Sequence, residues 1–200
     1  MFTGIIEEMG IVQSIVQSIV QSQKRVRVSI AAKKTLKGLK RGGSIAVNGV
    51  CLTATTVSLT GFCADIAHET IAVTDLGNLQ RKERVNLERA IRLGDRMDGH
   101  LVSGHVDGVG VIQNRKEVQN ALTLTLSVPP SILKYCIPKG SITVDGISLT
   151  IQSCQPLGIT VMIIPHTAKM TTLGIKMKNA PVNLEADLIG KYIERLIQGK

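Results

Sequence analysis

Two histidines bracket a glycine-containing turn, Gly99-His100-Leu101-Val102-Ser103-Gly104-His105, midway along a chain of 200 residues. A histidine on a loop is suited to moving protons near neutral pH. The pair could also ligate a metal with Asp98 or Asp107. No third ligand cluster lies nearby and no His-x-x-x-His helix accompanies them, so no metal site is expected. The plainest use of such a histidine is to hydrogen-bond its own turn. Cys51 and Thr53 follow one tight turn, and Ser148 and Thr150 follow another. Residues two apart on a strand share a face, so each pair offers one small polar surface. Nothing in its sequence surroundings marks Cys51 as an activated nucleophile, and serine holds the matching place. Hydrogen bonding therefore suits it better than covalent chemistry. The glycines at 104, 108 and 110 do not have G-x-G-x-x-G spacing and open no helix, so a dinucleotide site is not supported.

The elements that position these residues occur twice. Ser44-Ile45-Ala46-Val47-Asn48-Gly49-Val50-Cys51-Leu52-Thr53 returns as Ser141-Ile142-Thr143-Val144-Asp145-Gly146-Ile147-Ser148-Leu149-Thr150. Thr3-Gly4 returns as Ser103-Gly104, and Val85-Asn86-Leu87-Glu88 as Val182-Asn183-Leu184-Glu185. A repeat of roughly a hundred residues has the length of a domain, not of a solenoid unit. The spacing is 100 residues up to Gly10 and Gly110, and 97 from Ser44 and Ser141 onward. The first copy's surplus falls where Ile11-Val12-Gln13-Ser14 is followed by the same tetrapeptide twice more. A lengthened strand or hairpin at a sheet end accommodates it.

Each copy reads as short strand, turn, short strand. Arg25–Ile30 and Leu122–Val128 alternate, and Asn48-Gly49 and Asp145-Gly146 are signals of tight hairpin turns. Short helical pieces are expected at Ala32–Leu39, at Pro130–Tyr135, and after Glu69 and His166. This spacing predicts an all-β chain, one small closed barrel or sandwich per copy. The copies meet in the turn-rich Leu93–His100. From Ala186 to Ile197 the pattern changes: Leu188, Ile189, Tyr192, Ile193, Leu196 and Ile197 form an amphipathic helical stripe. It must bury that stripe on its own barrel or on the same helix of other subunits.

Apolar residues make up 44% of the chain but aromatics only 2%, so Ile, Val and Leu must pack the core. No apolar run approaches the ~20 residues of a membrane span, and the first residues do not read as a signal peptide. Four scattered cysteines without a C-x-x-C pair suggest a reduced, cytoplasmic protein. The net charge of +9 raises nucleic acid as a partner. With two Phe, two Tyr and no Trp there is almost no stacking platform, so Lys24–Arg41 reads as a solvated face.

Met1-Phe2-Thr3-Gly4-Ile5-Ile6-Glu7-Glu8, Asn48–Thr53, Gly99–Asp107 and Asp145–Thr150 together resemble the bacterial riboflavin synthases, over nearly the whole chain and through Asp187–Tyr192. The resemblance implies two tandem six-stranded Greek-key β-barrels with short helices, plus a C-terminal amphipathic α-helix. It divides the chain into barrels at residues 1–97 and 98–186 and a trimerising helix at 187–200. It further implies a homotrimer that dismutates two molecules of 6,7-dimethyl-8-ribityllumazine, without metal or cofactor, at a site shared by neighbouring subunits.

Carried over by motif, one pocket would use Gly4, Ile5 and Ile6 with Cys51, Leu52, Thr53 and the stretch Asp65-Ile66-Ala67-His68-Glu69-Thr70. The other would use Gly104, His105 and Val106 with Lys139, Ser148, Leu149, Thr150 and Met162-Ile163-Ile164-Pro165-His166-Thr167. Asp187 would lie near the shared site. Proton transfer falls to His100, with Ser44, Cys51 and Thr53 positioning the ring or an added nucleophile. The competing reading on the same fold is a non-catalytic antenna protein that only carries a lumazine or flavin. A more distant one is a nucleic-acid-binding barrel.

Overall fold

The computed structural model describes residues 1–20, 23–118 and 120–199. The first copy forms β1 (Glu8–Val20), β2 (Gln23–Ala31), β3 (Ser44–Val47), β4 (Val50–Val57), β5 (Gly61–Ile66) and β6 (Arg84–Arg89). The second forms β7 (Gly108–Val118), β8 (Ala121–Ser127), β9 (Ser141–Val144), β10 (Ile147–Gln155), β11 (Gly158–Ile163) and β12 (Pro181–Ala186). Each set closes into an antiparallel barrel, with neighbour orders β1-β2-β5-β4-β3-β6 and β7-β8-β11-β10-β9-β12. The two orders are identical copy for copy, and they are the six-stranded Greek-key barrels that the family resemblance implied; of the barrel and sandwich left open by the strand spacing, each copy is a closed barrel.

Alternation explains the cores. Val26, Val28 and Ile30 of β2 point inward onto Phe62, Ala64 and Ile66 of β5. In the second barrel Leu122, Leu124 and Leu126 do the same against Ile163, Val161 and Ile159. Branched aliphatic residues do most of the packing that aromatics supply elsewhere.

The tetrapeptide run lengthens the β1–β2 hairpin, whose pairing continues to Val20 and Gln23. Its last two residues, Gln21 and Ser22, lie outside the described residues. Among the short helices, α1 (His68–Val73), α2 (Pro130–Leu133) and α3 (Pro165–Met170) appear where expected. Ala32–Leu39 does not become a helix. The Glu8 carboxylate instead accepts from the backbone N–H groups of Lys33 and Thr35 and from the Thr35 hydroxyl, which folds the segment into turns. The described cations of the basic stretch, among them Arg25, Lys33, Lys37 and Arg41, are exposed, as a solvated face requires.

The barrels meet through matching parts. Asn48-Gly49 and Asp145-Gly146 are tight turns with positive φ at all four residues, and they abut. A Cβ on Gly49 would stand 2.6 Å from the Gly146 nitrogen. Asn86 donates across the seam to the Asp145 carbonyl at 2.9 Å, and Asn183 to the Asn48 carbonyl at 2.9 Å. Lys176 sits 2.6 Å from buried Asp145 and 3.3 Å from Asp75 of the first barrel. Burial drives the Asp145 carboxyl up and Lys176 opposes it. Apart from Asn48 Nδ2, which is buried without a partner among the described residues, these seam groups are paired, and slippage would strand them.

Candidate active site

The predicted polar faces lie on the outside of the barrels. In the β3–β4 hairpin Ser44 pairs with Thr53 and Ala46 with Cys51, while Ile45, Val47 and Leu52 fill the core. Likewise Ser141 pairs with Thr150 and Thr143 with Ser148, with Ile142, Val144 and Leu149 inside. The same alternation buries Ile66 and Ile163 and leaves Asp65, Ala67, Met162 and Ile164 exposed. Leu52, Leu149, Ile66 and Ile163 therefore have only backbone groups to offer an outer ligand. Pairing of Ala54 with Ala64, and of Ile151 with Val161, brings the stretches after β5 and β11 alongside these faces. His68, Glu69, Pro165 and His166 are exposed on α1 and α3, while Thr70 and Thr167 are half-buried there. Asp65 is held by Arg27 in a two-bond ion pair at 2.6 and 2.8 Å. That bonding keeps its carboxyl below the usual range.

Each polar face is covered by the opening segment of the other copy. The Gly4 carbonyl accepts from Ser148 N–H at 2.8 Å, and the Gly104 carbonyl from Cys51 N–H at 2.8 Å. Phe2 and Val102 exchange backbone hydrogen bonds where the two segments cross. Only glycine fits at 4 and 104. Both have positive φ, and a Cβ would stand 2.6 Å from the Ser148 Cβ and 2.7 Å from the Cys51 Cβ respectively. Ile6 packs on the second barrel's core and Val106 on the first's. This regroups the residues matched by motif: Gly4 and Ile6 join Ser148 and Thr150, while Gly104 and Val106 join Cys51 and Thr53. Ile5 alone turns back, lining a cleft of about 660 Å³ with Ser44 and Ala90 of its own barrel.

The junction histidine belongs to the second barrel. His100 Nδ1 lies 2.7 Å from Ser148 Oγ, and Nε2 lies 3.2 Å from Thr143 Oγ1. Burial lowers the imidazole pKa below its usual 6.5, with the nearby Asp187 carboxylate opposing. A neutral ring with one accepting nitrogen follows at pH 7. Among the described residues none of Ser44, Cys51 and Thr53 hydrogen-bonds His100. The trio sits on the first barrel, and both ring nitrogens face hydroxyls of the second.

Both copies match the lumazine binding domain, over residues 3–90 and 103–187. The chain is 46% identical to the riboflavin synthase of Actinobacillus pleuropneumoniae over 200 residues, covering all of this chain and 91% of that one. It is 42% identical over 197 residues to the Bacillus subtilis riboflavin synthase, covering 98% of this chain and 90% of that one. The chain belongs to the riboflavin synthase family. Its fold is also that of LumP, solved in complex with riboflavin. That match has a TM-score of 0.85 at 25% identity and covers 93% of this chain and 99% of LumP. LumP in complex with 6,7-dimethyl-8-(1'-D-ribityl) lumazine matches at a TM-score of 0.82 and 26% identity, with the same coverage.

In this riboflavin synthase family member the two faces are chemically unlike. Where the second barrel has Thr143, Ser148 and Asp187, the first has Ala46, Cys51 and Ala90. Lys139 adds a further difference. It holds a left-handed backbone, φ 69°, where the first copy has Gly42 at φ 82°. A side chain in that region costs about 1–2 kcal/mol, a cost that Lys82 and Asn179 also bear in this chain. His105 is exposed and contributes no such contact. Sequence reasoning missed Thr143 as a partner of His100. Hairpin register, which places it opposite Ser148, was the available signal. No group of three or more His, Cys, Asp or Glu among the described residues is arranged to hold a metal.

Proposed function

We propose that the chain makes riboflavin from 6,7-dimethyl-8-ribityllumazine alone. One lumazine gives up a four-carbon unit, the other accepts it, and riboflavin and 5-amino-6-ribitylaminouracil leave. The observation that carries this is the pair of fully built but unlike faces, each roofed by a glycine segment. A carrier needs one binding face, whereas a dismutation needs two that treat identical molecules differently. The identity of 46% to a synthase against 25% to LumP points the same way.

One lumazine lies against Gly4, Ile6, Lys139, Ser148, Thr150 and the Met162–Thr167 stretch, near Asp187. The other lies against Gly104, His105, Val106, Cys51, Thr53 and the Asp65–Thr70 stretch, with Ser44 beside it. Ile5 borders the second, across the cleft that it lines with Ser44. Leu52, Leu149, Ile66 and Ile163 act through backbone groups. His100, neutral and braced by Ser148, takes the proton from the acidic C7 methyl of one lumazine while the other is attacked at C7. Ser44, Cys51 and Thr53 orient the acceptor ring or an added nucleophile. Fixing two identical substrates against each other removes an entropic barrier that reaches ~7–11 kcal/mol in favourable cases.

The working site is shared between subunits of a homotrimer, the Ser148 face of one chain, with its His100, meeting the Cys51 face of the next. Residues 1–97 and 98–186 supply the barrels, and residues 187–200 join the subunits. Helix α4 (Leu188–Ile197), capped by the Asp187 carboxylate at Ile189 N–H, supports this assembly. Lys134 and Tyr135 hold its Glu194, yet Ile189, Tyr192, Ile193, Leu196 and Ile197 remain 50–80% exposed. That stripe calls for another copy's helix. Four free thiols accord with action in the cytoplasm.

The test is to incubate the purified chain with lumazine as sole substrate. One riboflavin should form for every two lumazines consumed, and lumazine held unchanged would reduce the protein to a carrier.

A further inference from the structure

We infer that Glu88 and Glu185 are positioning residues, each setting the geometry of the ligand face on the opposite barrel. Glu88 lies near the end of β6 and is buried. Its Oε1 accepts from Thr3 N–H at 2.7 Å and from the Thr3 hydroxyl at 2.8 Å, and its Oε2 from Gly4 N–H at 3.1 Å. Glu185, at the matching place in β12, treats Ser103 and Gly104 the same way, at 2.7, 2.7 and 3.0 Å. Among the described residues neither carboxylate belongs to a salt bridge.

A buried carboxylate outside any salt bridge is costly, and these spend their hydrogen bonds on a chain segment, with Lys191 easing the cost at Glu185 from a distance. Burial raises the pKa of both, and the bonds from the segment oppose it. What that segment does gives the reason. Glu88 grips the nitrogen of Gly4, and the carbonyl of the same glycine receives Ser148 N–H at 2.8 Å. The Ser148 hydroxyl then meets His100 at 2.7 Å. A carboxylate rooted in the first barrel thus reaches the histidine of the second through one glycine and one serine. Glu185 reaches Cys51 of the first barrel through Gly104 in the same manner. Only the Glu88 relay ends on a proton-transfer group, so the two should differ in effect.

This inference rests on the two-face reading above, and the experiment separates the two. Lumazine binding is counted by its own fluorescence in the full-length protein, with Ser148→Ala and Cys51→Ala assigning the two classes of site. Glu88→Gln, equal in shape but offering a donor where an acceptor is needed, should weaken the class that Ser148→Ala weakens by tenfold or more. The class assigned by Cys51→Ala should stay within twofold. Glu185→Gln should do the reverse, and kcat should fall further for Glu88→Gln. Thr3→Val, losing its hydroxyl bond to Glu88, and Ser103→Ala, losing the bonds to Glu185 and from His105 N–H, should give the same crossed pattern more weakly if the glutamine variants fold poorly. Two sites per chain with losses on the glutamate's own barrel, or equal losses on both, would overturn the inference alone. Fewer than two sites in the unaltered protein would overturn the two-face reading and this inference with it.

Discussion

The faces around Ser148 and Cys51 are one scaffold carrying two chemistries. Both sit on the outside of a β-hairpin ending in a left-handed turn, and both are roofed by a glycine whose carbonyl takes the N–H of the central residue. The Ser148 face adds a half-buried histidine, two hydroxyls, a nearby carboxylate and a strained lysine. The Cys51 face has alanine at two of those places and a thiol at a third. Duplication preserved what holds a ring. If the proposed reaction holds, the departures from it are where the chemistry resides.

The largest expected way to break the comparison is to remove the group only one face has. His100→Ala should lower turnover by about 10²–10⁴, the range for a lost general base, with a much smaller change in lumazine affinity. In the unaltered protein, kcat/KM should decline as pH falls through a value below 6.5, since the depressed pKa keeps the imidazole neutral above it. That limb should vanish in the variant. Equal activity would take the proton from His100 altogether.

Deleting residues 188–200 should yield monomers by sedimentation that still bind lumazine. Their turnover should be at least about tenfold lower, since a shared site depends on assembly. Fully active monomers would place both half-sites in one chain. The mildest change sharpens the contrast. Cys51→Ser imports the residue of the other face, and turnover should fall less than about tenfold if the thiol orients rather than attacks. Complete loss would make Cys51 a nucleophile.

Much of this was legible in the sequence, for identifiable reasons. The repeat and the period-two alternation of β2 and β8 dictated two equivalent β domains, and the family resemblance made each a barrel rather than a sandwich. Asn48-Gly49 and Asp145-Gly146 dictated hairpins, because few other residue pairs accept two successive positive φ angles. The stripe from Leu188 to Ile197 dictated α4. Motif matching, however, groups residues by copy, whereas the opening segments serve the opposite barrel. That exchange is set by Phe2 meeting Val102 and by glycine-only approaches at 4 and 104, contacts between residues far apart in the chain. The misplaced helix at Ala32–Leu39 has the same origin: a distant carboxylate, Glu8, overrides local propensity.

A site shared between chains can be tested by mixing two crippled forms. His100→Ala disables the Ser148 face, and Gly104→Val forces a side chain onto Cys51, 2.7 Å from its Cβ. Each protein alone should make almost no riboflavin. Co-expressed, they should form mixed trimers in which one chain's intact Ser148 face meets another's intact Cys51 face, restoring about a third of the normal rate per mixed trimer. Mixed trimers as inactive as either parent would contradict the account.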